Sequence, residues 1–412
     1  MSHQLLDFGR RALQRTQALC PSTAAVLRAA AMTVMLAALA VASVGTARAA
    51  DCPAVADPPP WPRLAEIDHV VGEALARVPM SGLSVAVLRG GKLVHAAGYG
   101  KASLELDVPA TPSTVYRLGS VTKQFTAVAI LRHAERGELK LDDDIRKHLP
   151  DFDTGGRVIT IRQLLDHTSG IRNMTSIRPL MANRALDVTR EQVFGSLAAA
   201  PFDFEPGERY LYNNSGYWLL GAVIEKLAGE PYDTAIERTL LEPLCLGATR
   251  YDVPGEIVPN RASGYVREGS RFLNAGPNSP TRPYAAGALI SNVLDLAVWQ
   301  RALFGGKVLS AESLRLMTTP GRLKDGKPTS YGLGVAITQF RGHRRIAHPG
   351  GIVGFSSFLS HYPDEQISIA VLSNTMDTEL RSEVEERIAA LLLPAGATST
   401  ADGAGQPRRP RQ

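Results

Sequence analysis

Residues 116–137 read "YRLGSVTKQFTAVAILRHAERG", and the fold turns on how this stretch is read. Val121, Phe125, Val128, Ala129, Leu131 and Ala134 recur at helical spacing, and Gly137 is a stop signal. Inside the first turn stands Lys123, three residues after Ser120, so both side chains share one flank. A serine hydroxyl is a weak nucleophile until a base takes its proton. A lysine serves as that base only when uncharged, a state that burial and nearby positive charge favour. The helix N-terminus adds a partial positive field that suits a developing alkoxide. On its own, the pattern also reads as a capping serine and a lysine reaching to solvent.

Outward from this helix the pattern changes. Helical periodicity covers 63–78, and "GLSVAVLRGGKLVHAAGYG" (82–100) holds two apolar strands joined at Arg89-Gly90-Gly91-Lys92, a hairpin signature. From Ser120 to about Phe304 helical patterns dominate, broken by Gly/Pro loops. Beyond Ser330 strands return in "YGLGVAITQF", "RRIAHPGG", "GFSSFLSHYP" and "QISIAVLSN", and an amphipathic helix spans 378–393. The expected fold is α+β: an antiparallel sheet built from N- and C-terminal segments and flanked by helices. A mostly helical lobe, about 120–304, is inserted within a domain of 63–393. A cleft between the two parts is the expected ligand site.

The chain has 412 residues, 44% of them apolar, and a formal charge of +5. Residues 1–50 hold five arginines and one acid, and 401–412 hold three arginines against Asp402, which leaves the body near −1. No basic patch interleaved with aromatics remains, so nucleic acid is excluded as a partner. Residues 29–47, "AAAMTVMLAALAVASVGTA", are uncharged, follow Arg28 and end in "ARAAD". The expectation is an export leader over 1–50, cut near Ala49 or Ala50, with a long region before the apolar run. "GRRALQ" (9–14) hints at a twin-arginine signal. The alternative is an uncleaved anchor, which would be the protein's membrane contact. Either way the destination is periplasmic or secreted. A Pro-rich linker (51–62) and a low-complexity, disordered tail (394–412) bracket the domain.

Cys52 and Cys245 would remain after cleavage, and the preferred reading is two thiols rather than a pair, although export permits a disulfide. Metal and nucleotide motifs do not occur, so no metal or cofactor is expected. Asp142 to Asp144 read as a solvated helix entry. G-x-S-x-G is absent, which disfavours α/β-hydrolase chemistry. Oligomeric state has no signal in the sequence.

Two further motifs change the reading of Ser120. "GERYLYNNSGYWLLGAVIEKLAG" carries Tyr212-Asn213-Asn214 before an apolar helix, and "IAHPGGIVGF" carries His348-Pro349-Gly350-Gly351 on an expected strand. Each has a structural reading too: Tyr212 as core filling, Asn214 as a cap, the glycines as a turn. In the order S-x-x-K, Y-x-N, H-x-G, from about Leu64 to Leu393, the chain resembles the serine β-lactamase and penicillin-recognising hydrolase superfamily. The branch is that of class C β-lactamases, D-alanyl-D-alanine carboxypeptidases, D-aminopeptidases and related esterases. "LLDHTSGI" (164–171), "AAGALISNVLDLAVW" (285–299) and "GELKLDDDI" (137–145) look like structural landmarks of the same family.

The resemblance implies that Ser120 is the acylated nucleophile and that Lys123 shares its proton network. Tyr212 would act as base or proton donor, and Asn214 would bind Lys123 and a substrate carbonyl. The backbone N–H groups of Ser120 and Gly351 would form the oxyanion hole. His348 and Gly350 would lie along the substrate. Class C enzymes have a lysine where His348 stands, so a peptidase or esterase working on D-amino-acid peptides or small esters is implied. A class C-like β-lactamase is the alternative, and a catalytically silent binder of peptidoglycan fragments or a protein partner is a third reading. Pocket walls would come from the loops 173–187 and 267–281, which carry no readable code.

Overall fold

A computed structural model describes residues 63–78 and 80–394; the expected leader, the linker and all but the first residue of the tail lie outside the described residues. The order of elements begins with helix α1 (Leu64–Arg77) and the hairpin β1 (Gly82–Arg89) and β2 (Lys92–Ser103), followed by the short β3 (Val108–Pro109). Gly90 (φ 57°) and Gly91 (φ 72°) make the hairpin turn, both left-handed as a two-residue turn of this kind requires. Helices α2 (Thr122–Glu135), α3 (Asn214–Ala228) and α4 (Val293–Phe304) follow. The chain returns as strands β4 (Ala336–Phe340), β5 (His343–Ile352), β6 (Phe355–Tyr362) and β7 (Ile367–Ser373), then helix α5 (Thr378–Leu392).

The seven strands form one sheet in the order β3-β2-β1-β7-β6-β5-β4. Its named pairings are antiparallel, and β1 joins the two ends of the chain through Val85↔Val371 and Ala86↔Ala370. The period-two pattern of the strands sorts the sheet's two faces. Val85, Val87, Ile369 and Val371 point to one core with Ile67, Val71, Val384 and Ile388 of α1 and α5. Ala86, Leu88, Ala370 and Leu372 point to the other, larger core shared with the helical part of the chain. A strand buried on both faces is near-continuously apolar, and β7, buried along its whole length, departs from that only at Ser368 and Ser373.

The sheet built from both ends is as the sequence predicts, but the inserted lobe is not purely helical. It carries a three-stranded sheet (Tyr116–Arg117, Leu289–Ser291, Arg250–Tyr251) and a hairpin (Tyr265–Glu268 with Arg271–Asn274) in a stretch read as loop. Helix α4 packs on β1 and β7, which places it in the layer covering the sheet rather than in the lobe. Trp299 of α4 stacks on Phe125 of α2 with ring centroids 4.0 Å apart, so α2 is held between lobe and sheet. That contact fixes the helix whose first turn carries Lys123 and which follows directly on Ser120.

Cys245 is disulfide-bonded, which corrects the expectation of an unpaired thiol; its partner lies outside the described residues. The acids at 142–144 are taken up locally. Asp142 pairs with Arg162, Asp143 with Lys147, and Asp144 caps the turn Ile145–Lys147.

Candidate active site

Ser120 sits in a single 3₁₀ turn, Gly119–Val121, that leads into α2. The residue at the helix cap is Val121, and no side chain caps the N-terminus, so the capping role open to Ser120 is not taken. Gly119 sets the approach of this turn to the sheet. It has φ 53°, and a Cβ on it would lie 2.8 Å from Gly351 N and 3.0 Å from Gly351 C. Only a residue without a side chain permits that closeness. The contact sets the backbone of Ser120 against the end of β5.

Lys123 is fully buried. Its Nζ lies 2.8 Å from Asn214 Oδ1, 2.8 Å from Ala286 O and 3.3 Å from Ser120 Oγ. All three neighbours are uncharged oxygens. Burial therefore drives the lysine pKa well below its usual value, because nothing nearby compensates the lost hydration of an ammonium. A neutral amine has two N–H bonds and one lone pair. With Asn214 and Ala286 accepting both hydrogens, the lone pair is left for the hydroxyl of Ser120.

The paired asparagines divide the labour. Asn213 is the cap of α3, its Oδ1 accepting from Gly216 N at 3.0 Å. That releases Asn214 from the capping role the sequence left open to it, and its side chain faces Lys123 and the cleft. Tyr212 places its ring 4.9 Å from Lys123 Nζ. Its hydroxyl is buried and, apart from a weak approach to the Ser120 hydroxyl, has no partner among the described residues. Burial pushes its pKa up, with the Ser120 hydroxyl acting in the opposite sense, so the phenol keeps its proton at neutral pH.

Ser120, Asn214 and Gly351 line a cleft of about 300 Å³. The two other residues expected to meet substrate do not. His348 is buried; its Nε2 lies 2.7 Å from Tyr331 Oη and its Nδ1 2.7 Å from Pro349 O. With Nδ1–H donating to the carbonyl, Nε2 accepts from the phenol and both ring nitrogens are spent inside the protein. Burial pushes the His348 pKa down to about 3, so it is neutral and carries no charge for a substrate. In this arrangement His348 braces the strand and does not line the cleft, where its expected role would place it.

Gly350 is likewise structural, because a Cβ there would sit 2.1 Å from Leu118 O and 2.1 Å from Ser357 Oγ. Its carbonyl accepts from Arg381. Gly351 alone of the pair opens on the cleft.

Several contributors have no sequence signal of their own. Ala286 acts through a backbone oxygen, Tyr331 is 17 residues from the histidine it holds, and Arg381 reaches Gly350 from α5. His167 in "LLDHTSGI", read as structural, packs its ring 4.5 Å from Tyr212 and 4.6 Å from Tyr331 and completes the wall behind the site. The loops 173–187 and 267–281 do supply cleft walls, through Met174, Met181, Arg184 and Asn278.

A family model described as Beta-lactamase matches residues 67–393. Protein flp of Staphylococcus aureus (strain N315) is 28% identical over 320 residues, covering 75% of this chain and 62% of that protein. The chain thus spans less than two thirds of the length of that curated relative. The putative penicillin-binding protein PbpX of Bacillus subtilis (strain 168) is 28% identical over 324 residues, 78% of each chain. Among solved structures, a D-stereospecific amidohydrolase from Streptomyces sp. superposes with a TM-score of 0.69 at 29% identity, covering 82% of this chain and 100% of that one.

Proposed function

The chain belongs to the Beta-lactamase family, and from that premise we propose that it is an exported serine hydrolase, periplasmic or secreted, that forms an acyl-enzyme on Ser120 with D-amino-acid peptides, amides or small esters. One observation carries the reading: the buried amine of Lys123, held by two uncharged acceptors, with Ser120 Oγ 3.3 Å away.

In the reaction, Ser120 Oγ attacks the substrate carbonyl carbon while its proton passes to Lys123 Nζ. The carbonyl oxygen becomes an oxyanion, received by the backbone N–H groups of Ser120 and Gly351; one such donor is worth ~3–4 kcal/mol. As the tetrahedral species collapses, the C–N or C–O bond breaks and the leaving group takes a proton from the Tyr212 phenol, which is resupplied from Lys123. Water then attacks the acyl ester along the reverse path, freeing the acid and restoring the serine. The D-stereospecific Streptomyces neighbour supports D-configured substrates. The neutral, buried His348 speaks against the anion-holding third motif of class C β-lactamases.

The test is to incubate the protein with a fluorescent penicillin and with a p-nitrophenyl ester, and to read the intact mass. Labelling of wild type but not of Ser120→Ala supports the hydrolase. Rapid penicillin turnover would favour the β-lactamase reading. Absence of both label and ester cleavage would favour a silent binding protein.

A further inference from the structure

His167 has a left-handed backbone, φ 63°, uncommon outside glycine and least so for Asn, Asp and His. It is buried, in the stretch "LLDHTSGI" that the sequence offers only as a structural landmark. Two atoms of this one residue reach the segment that carries Tyr212. Its carbonyl oxygen accepts from Leu211 N at 3.1 Å, and its ring Nδ1 accepts from Asn213 N at 3.2 Å. The imidazole also packs 4.5 Å from the Tyr212 ring, centroid to centroid. Tyr212 is thus held at the residue before it, at the residue after it and through its own ring.

Because Nδ1 accepts, the ring proton stands on Nε2, and that N–H is buried with no hydrogen-bond partner among the described residues. An orphaned donor costs stability. The fold accepts that cost and keeps an acceptor under Asn213 N. Protonating the ring would set one N–H against another at this contact, and burial holds the imidazole neutral. The side chain of Asn213 is anchored separately, its Oδ1 to Gly216 N and its Nδ2 to Ile171 O. Helix α3 and Asn214 are therefore placed without the imidazole, and the effect of the His167 contacts falls on Tyr212.

We propose that His167 is a positioning residue: its carbonyl, its Nδ1 and its ring together hold the Tyr212 phenol where it can hand a proton to the leaving group at Ser120. This deepens the hydrolase reading and rests on it, since that proton transfer is what the hold serves.

The experiment is a double-mutant cycle on acylation, read by stopped-flow labelling with a fluorescent penicillin and by p-nitrophenyl ester turnover. His167→Phe keeps a ring and loses the Nδ1 acceptor. It should slow acylation ~10- to 100-fold with KM little changed, the scale of a misplaced reacting group. His167→Asn keeps an acceptor near the Nδ1 position and tolerates the left-handed backbone, so it should recover most of that loss. In a Tyr212→Phe background, His167→Phe should cost less than about 2-fold more, because both changes act on one group. Should His167→Phe not fold, His167→Gly enters the same cycle, since it takes the left-handed turn freely and has no acceptor.

Losses that multiply in the double variant would overturn the proposal. So would an Asn variant no better than the Phe variant, or activity that only follows the melting temperature across the series. A second signal reads the hold without turnover: the fluorine resonance of Tyr212 in fluorotyrosine-labelled protein, assigned by its loss in Tyr212→Phe. It should be single in wild type and in His167→Asn, and split or broadened in His167→Phe. One sharp resonance in all three overturns the proposal and leaves the hydrolase reading standing. If wild type shows neither label nor ester cleavage, the hydrolase reading falls, and this resonance alone decides whether His167 holds Tyr212.

Discussion

The amine of Lys123 meets the side-chain oxygen of Asn214 at 2.8 Å, an uncharged acceptor where an ion pair would place a carboxylate. The lysine is thereby oriented without being held charged. Asn214→Asp tests that distinction. A carboxylate at this range raises a lysine pKa by ~1–3 units. The acid limb of the kcat/KM profile should move to higher pH by that amount, with activity falling on the acid side of the profile and recovering in alkaline buffer. A profile of unchanged position at lower height would mean that Lys123 is not the titrating base.

Tyr212 has a buried hydroxyl with only a weak approach to Ser120 among the described residues, and a group so poorly satisfied contributes little to stability. Tyr212→Phe should therefore leave the melting temperature unchanged or slightly raised. Acylation of Ser120 should fall by ~10²–10⁴, the range of a positioned proton carrier. Stopped-flow labelling with a fluorescent penicillin, beside a thermal melt, reads both. Loss of stability with retained acylation would contradict the role.

Adjacent glycines on β5 should respond differently. Gly350→Ala drives a methyl into Leu118 O and Ser357 Oγ, each 2.1 Å away, so it should destabilise by ~1–3 kcal/mol or more. In Gly351→Ala the new methyl has only Arg381 Nη1 within reach, at 3.5 Å. That variant should fold normally, and because Gly351 lines the cleft together with Ser120, its ester turnover is expected to fall. Chemical denaturation and ester turnover, measured on both, check the pair.

His348 ties stability to pH. Its pKa in the folded protein is down at about 3, below the ordinary histidine value of 6.5. Between these two values the unfolded chain holds the extra proton. The stabilisation is therefore present above pH 6.5 and is lost as pH falls toward 3, at up to ~1.4 kcal/mol per pH unit. Wild type should lose its stability advantage over His348→Asn across that window, in urea melts from pH 7 to 4. A constant difference would show that the imidazole does not stay neutral.

Much of this was legible in the chain itself. Period-two runs at 82–100 and 331–374 announced the sheet, because a strand's side-chain alternation is a local property. Ser120 and Lys123, three residues apart across the turn that opens α2, are neighbours by helical geometry alone. Other features were not readable. "AAGALISNVLDLAVW" gives no sign that α4 covers the sheet instead of joining the lobe, since an apolar helix face does not name its partner. The hairpin at 265–274 has little apolar alternation, and its strands carry Arg267, Glu268 and Arg271.

The sequence by itself determined the order of elements and the presence of Ser120, Lys123, Tyr212 and Asn214 at spacings that admit acyl transfer. Tertiary structure decided which of those groups are dry. It buried Lys123 among uncharged oxygens, assigned the cap to Asn213 so that Asn214 could turn to the amine, folded His348 inward onto Tyr331, and set Arg184 and Arg282 on the cleft wall. The physical reason is range. Backbone periodicity is set by neighbours along the chain, whereas desolvation and charge are set by whatever packs alongside, from Tyr331 on His348, 17 residues away, to Ala286 on Lys123, 163 residues away.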